Sequence, residues 1–129
     1  MKIILDTNII VSALLSSQGL PAKILNLILD GSATIVYDNN ILSEYIDVLG
    51  RERLKINTEL AKFVIEFIEK EGEYKIAIPL NIKFEDEDDK VFYELYKSGG
   101  VDYLITGNIK HFPNEKGIVT ARQFLETEY

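Results

Sequence analysis

Apolar residues along the chain follow two alternating patterns. Short runs have the length and composition of strands buried on both faces: Ile3-Ile4-Leu5, Ala33-Thr34-Ile35-Val36-Tyr37 and Asp102-Tyr103-Leu104-Ile105-Thr106. Between them lie longer stretches with apolar positions three and four apart, the spacing of one helix face. The first is predicted over about 8–16, with Thr7 and Asn8 as good N-cap residues before Ile9, Ile10, Ala13 and Leu14. The second carries Ala22, Ile24, Leu25, Leu27, Ile28 and Leu29, with Pro21 in its first turn and Gly31 ending it. A third places Ile41, Leu42, Tyr45, Ile46 and Leu49 on one face and closes at Gly50. A fourth, over about 58–71, sets Leu60, Phe63, Val64, Phe67 and Ile68 against Glu and Lys. A fifth opens in the acidic run 85–89, continues to about Lys97 and is broken by Gly99-Gly100. Residues 74–78 alternate like a short or edge strand stopped by Pro79, Ile118-Val119 reads as a last short strand, and a terminal helix starts near Thr120. Strands that alternate with helices predict an α/β fold: a mainly parallel central sheet between two layers of helices.

That architecture gives three acids a meaning that none has alone. In a parallel sheet the carboxyl ends of the strands share one edge, where ligands bind. Asp6 follows the first strand, and Asn108 follows the Tyr103 strand, so the two become neighbours in space. Asp89 has Phe92, Tyr93 and Tyr96 at helical spacing, so it points along the buried face of its helix and calls for a partner. The acids before it, Glu85 to Asp88, are accounted for by the helix dipole, at roughly 0.3–1 kcal/mol each. Glu44 lies early in the third helix, whose preceding strand ends in Asp38-Asn39-Asn40 at the same edge; Asp38 itself reads as a cap. Three converging carboxylates make an all-oxygen site suited to magnesium or manganese. Such a site supports metal-assisted phosphodiester hydrolysis with no protein nucleophile.

Composition narrows the alternatives. The 129 residues fit one domain, 1–129, with 47% hydrophobic residues and no apolar run long enough to span a membrane. With no cysteine there is no thiolate metal site or disulfide, which suits the cytoplasm. The single histidine, His111, lies in a polar turn-like stretch and reads as a surface residue; it makes a Ser-His-Asp triad unsuitable. The net charge of −7 argues against a general nucleic-acid coat but allows local phosphate contacts. Arg51, Arg53 and Lys55 form the densest basic cluster and are candidates for such contacts.

Four blocks, in order and spacing, resemble the PIN-domain nucleases over nearly the whole chain. They are Leu5-Asp6-Thr7-Asn8-Ile9-Ile10-Val11-Ser12-Ala13-Leu14, then Glu44, then 86–95 (Asp86-Glu87-Asp88-Asp89-Lys90 onward), then 101–108 ending in Thr106-Gly107-Asn108. The likeness is greatest to the prokaryotic branch that supplies toxins of toxin–antitoxin pairs. It implies a three-layer α/β/α sandwich and a metal-dependent endoribonuclease with an antitoxin partner and a homodimeric state. It also implies that Asp6, Glu44 and Asp89 hold Mg2+ or Mn2+. Asn8 and Thr106 would orient water or carboxylate, and Asp86 matches an acid often present three residues before the helix ligand. Asn108 departs from the fourth acid common in the family and would offer a neutral oxygen; many members share the asparagine. Two other readings compete. A PIN-like module could bind RNA or a partner without cutting. An aspartyl-phosphate phosphatase would need an acid where Asn8 stands and the reverse order of its last two blocks.

Overall fold

The computed structural model describes residues 1–128; Tyr129, the last residue of the expected domain, lies outside the described residues. The elements run β1 (Lys2–Leu5), α1 (Thr7–Leu15), α2 (Leu20–Leu29), β2 (Thr34–Tyr37) and α3 (Asn39–Leu49). A 3-10 turn (Glu52–Leu54), α4 (Thr58–Glu71), β3 (Glu73–Tyr74), α5 (Glu87–Ser98) and β4 (Tyr103–Ile105) follow. A second 3-10 turn (Ile109–His111), β5 (Ile118–Val119) and α6 (Ala121–Glu128) complete the order. The strands form one sheet in the order β3-β2-β1-β4-β5, every pair parallel. The fold is a three-layer α/β/α sandwich. Helices α1, α2 and α6 pack together through α2, and α3, α4 and α5 through α3.

β1 is the middle strand, and its Ile3, Ile4 and Leu5 are fully buried, as a run covered on both faces requires. From β1 the chain crosses to β2 on one side and later returns to β4 on the other. The gap between the carboxyl ends of β1 and β4 is therefore the topological switch point, where an open sheet leaves a crevice. Asp6 and Thr106 stand at its two lips.

Local chemistry explains most of the element ends. Pro21 sits in the first turn of α2, and beyond that helix Gly31 adopts φ +85°, a conformation that costs a side-chain-bearing residue. Asp38 is the N-cap of α3, accepting from the Ile41 amide, as its place after β2 suggested. Thr120 and Gln123 form a reciprocal capping box at the start of α6.

Three expectations need correction. Helix α1 starts at Thr7, so Asp6 occupies the N-cap position in place of Thr7 or Asn8. The strand expected over 74–78 is only Glu73–Tyr74: after the Lys75 amide bonds Tyr37, the chain leaves β2 and donates to side chains of α5. The apolar faces of α3 and α4 are narrower than their sequence stripes. Ile41, Tyr45 and Leu49 are buried while Ile46 is 52% exposed; Ala61, Val64 and Ile68 are buried while Phe63 is 53% exposed. Each helix meets its neighbours along one line of side chains, and apolar residues beside that line stay in solvent. Among the described residues no helix is long and apolar enough to cross a membrane.

Candidate metal-binding nuclease site

Asp6 is buried at the end of β1. Its amide donates to the Ile105 carbonyl of β4, and its carbonyl accepts from Ile9 of α1, so both neighbouring elements fix its backbone. Its side chain makes no capping hydrogen bond to α1. Instead the hydroxyl of Thr106, fully buried just beyond β4, donates to Asp6 Oδ2 at 2.7 Å. That hydroxyl in turn accepts from the Asn108 amide at 3.0 Å. A residue serving only as a turn or cap would not be tied to a strand 100 positions away. Burial pushes the Asp6 carboxyl above its ordinary 3.8; the Thr106 hydroxyl opposes this and the charge of Asp89 adds to it.

Glu44 projects from α3 and is half-buried. Its Oε2 accepts from the Thr7 hydroxyl at 2.5 Å, so the residue after Asp6 holds the second acid. Burial raises its pKa, the Thr7 hydroxyl resists, and the charges of Asp88, Asp6 and Asp89 push further upward. Asp88 thus bears on Glu44 more than either of the other two acids does. From sequence it was only one of four dipole-favoured surface acids.

Asp89 is buried in the first turn of α5. Its partner is the one histidine: His111 Nδ1 lies 3.1 Å from Asp89 Oδ2. The surface reading of His111 is correct as to exposure, its side chain being 49% accessible, but it misses this contact. Burial raises the Asp89 pKa, the hydrogen bond from His111 lowers it, and Asp86 and Asp88 raise it. Asp86 is exposed and caps α5 by accepting from the Asp88 amide.

The remaining expected residues are less engaged. Asn8 is exposed, and its amide lies close enough to Asp6 to favour the carboxylate. Asn108 is half-buried and is tied through its backbone, its amide donating to Thr106 and its carbonyl accepting from the His111 amide. Arg51, Arg53 and Lys55 stand at the far end of α3 from the sheet edge, and Arg51 is paired with Asp47 at 2.9 Å. A residue that sequence reading left in the apolar face matters here. Tyr45 is fully buried, and its hydroxyl donates to the carbonyl of Leu5, the residue before Asp6. The signal was available: a Tyr at a core position needs a partner for its hydroxyl. Tyr45→Phe is expected to cost about 1 kcal/mol, read as a lower urea midpoint with an unchanged slope.

Residues 2–110 match the PIN domain family. The chain is a member of the PIN domain family. It is also 29% identical over 116 residues to Uncharacterized protein MJ1680 of Methanocaldococcus jannaschii, which covers 84% of this chain and 71% of that one. No solved structure matches it. PIN domains are generally nucleases and typically use divalent metal ions. The donor set of this PIN domain fits such an ion: Asp6, Glu44 and Asp89 offer only oxygen, the charge of Asp89 raises the pKa of Asp6, and the charges of Asp6 and Asp89 raise that of Glu44. As they stand, no three His, Asp or Glu side chains among the described residues are close enough to hold an ion between them.

Proposed function

We propose that this PIN domain is a metal-dependent endoribonuclease. Asp6, Glu44 and Asp89 are the ion ligands, with Asn108 as a neutral fourth donor. The observation that carries the reading is the placing of these acids from the end of β1, from α3 and from α5 at one sheet edge, each held by a side-chain partner and each with its carboxyl pKa raised first by burial. Such an arrangement is costly unless a cation joins it. Bound Mg2+ or Mn2+ would activate a water for attack on phosphorus and neutralise the leaving oxygen. The chain's own contribution is orientation. Thr106 fixes one oxygen of Asp6, Thr7 holds one oxygen of Glu44, and His111 holds one oxygen of Asp89. Asn8 and Asp86, both exposed at the rim, would complete the shell around water and substrate. RNA cleavage that appears with manganese or magnesium and stops in chelator tests the proposal. Retained RNA binding without cleavage would favour the binding-module reading.

The proposal extends to biology. The resemblance supports a cytoplasmic toxin paired with an antitoxin, and a homodimer. The exposed Ile46, Leu60 and Phe63 of α3 and α4 support association of some kind. A sedimentation mass of two chains is expected, and a single-chain mass at micromolar concentration would count against the dimer. Flanking phosphates are proposed to meet Arg51, Arg53 and Lys55. Reversing all three charges should raise KM far more than it lowers kcat, and unchanged RNA affinity would reject that contact.

A further inference from the structure

One cavity adjoins the acidic site through His111. Its volume is about 390 Å3, and its wall includes Lys83, Phe84, Glu85, Asp86, Lys110 and His111. That lies within the range of small-ligand sites, roughly 300–1,000 Å3. The lining has two chemistries. Lys83 and Lys110 form no ion pair with any described residue, so two ammonium groups are available to an anion. Glu85 is likewise unpaired, while Asp86 is engaged by the Asp88 amide. A bare anion is a poor fit to a wall that also carries two carboxylates. A ligand with a phosphate at one end and N–H donors at the other suits it better.

The wall is also rigid where it is aromatic. Phe84 is half-buried and held by Tyr93 and Phe112, with ring centroids 5.7 and 5.9 Å away. The loop bearing Lys110 and His111 is anchored to α5 by Glu115, which accepts from the Tyr93 hydroxyl and pairs with Lys97 at 3.1 Å. His111 itself is steadied by Asp89, leaving part of its ring open to the cavity.

We propose that this cavity is a nucleotide subsite: it takes the ribonucleotide next to the cleaved bond. The phosphate meets Lys83 and Lys110, the base lies against Phe84 and His111, and its amino donors face Glu85. Stacking on such rings tolerates any base, and a carboxylate selects bases with N–H donors. The proposal rests on the nuclease reading for the identity of the strand, but the site is testable without cleavage.

The chain has one histidine, so its imidazole proton signals are unambiguous. At one fixed pH, 5′-GMP in chelator is expected to shift these signals saturably. Inorganic phosphate should shift them far less. The double variant Lys83→Ala/Lys110→Ala should bind 5′-GMP about tenfold more weakly at an unchanged melting temperature. On RNA it should raise KM with kcat intact and flatten the salt dependence of log K by about 0.7, the loss of one phosphate contact on a single strand. No shift, an equal shift with phosphate alone, or parental 5′-GMP affinity in the double variant each overturns the subsite. If 5′-GMP binds as expected but the parent cuts no RNA, the nuclease reading fails and the nucleotide site stands. Cleavage by the parent with no 5′-GMP shift rejects the subsite alone.

Discussion

Asp6→Asn is expected to lower RNA cleavage by about 100- to 1,000-fold while leaving the protein folded. The substitution changes one oxygen to an amide nitrogen and removes the charge. Asparagine can still accept the Thr106 hydroxyl, so the tie between the ends of β1 and β4 survives. What is lost is the anionic donor at the switch point. A bound cation supplies several kcal/mol of charge stabilisation. At 1.36 kcal/mol per tenfold, losing a ligand should therefore lower kcat by about 100- to 1,000-fold. Thr106→Val keeps the charge but frees the carboxylate to turn, and should cost about 10- to 100-fold. Single-turnover cleavage with manganese, beside a melting curve for each variant, measures both. If Asp6→Asn cuts as fast as the parent, the site assignment is wrong.

The sheet, and the edge on which Asp6 and Thr106 meet, were readable because buried parallel strands leave a strong signature. Ile3-Ile4-Leu5 admits little else. Asp89 was readable for a related reason: a charge among aromatic residues at helical spacing is costly unless something answers it. The identity of that partner was not readable. His111 is 22 positions away on a loop, and loops carry no periodicity to say which side chain turns inward. The same limit hid the cavity at Lys83 and Lys110, which exists only because the segment before α5 and the loop after β4 lie side by side. Tyr45 shows a subtler limit. Its apolar spacing was read correctly, but the pattern counts a tyrosine as a hydrophobe and says nothing of where its hydroxyl goes. Ile46 and Phe63 mark the opposite error, since periodicity shows which residues share a face but not how wide a neighbour covers it.

Manganese is expected to raise the melting temperature of the parent and hardly move that of Asp89→Asn. The argument starts from Asp6, Glu44 and Asp89, whose folded pKa values all lie above their ordinary values of 3.8, 4.5 and 3.8, with burial as the largest cause. A raised carboxyl pKa means that the folded state holds protons which the unfolded chain has released. Stability therefore falls as pH rises from the ordinary value through the raised one, and the full cost is present at neutral pH. Without metal, the parent should melt higher as pH is lowered from neutral into that window. Metal removes the same cost at neutral pH, because only the folded chain brings the three acids to one edge. At 100 times the dissociation constant this contributes about 2.7 kcal/mol, on the order of 10 °C for a domain of this size. Its effect should shrink as the acids are protonated. Asp89→Asn removes one of the repelling charges and leaves a side chain that can still hydrogen-bond His111, so in chelator it should melt no lower than the parent. If Asp89 served only the dipole of α5, the signs would reverse. The variant would then lose roughly 0.3–1 kcal/mol, and neither protein would respond to manganese. Melting curves of both proteins, with manganese and with chelator, decide between a residue that waits for a cation and one that only caps a helix.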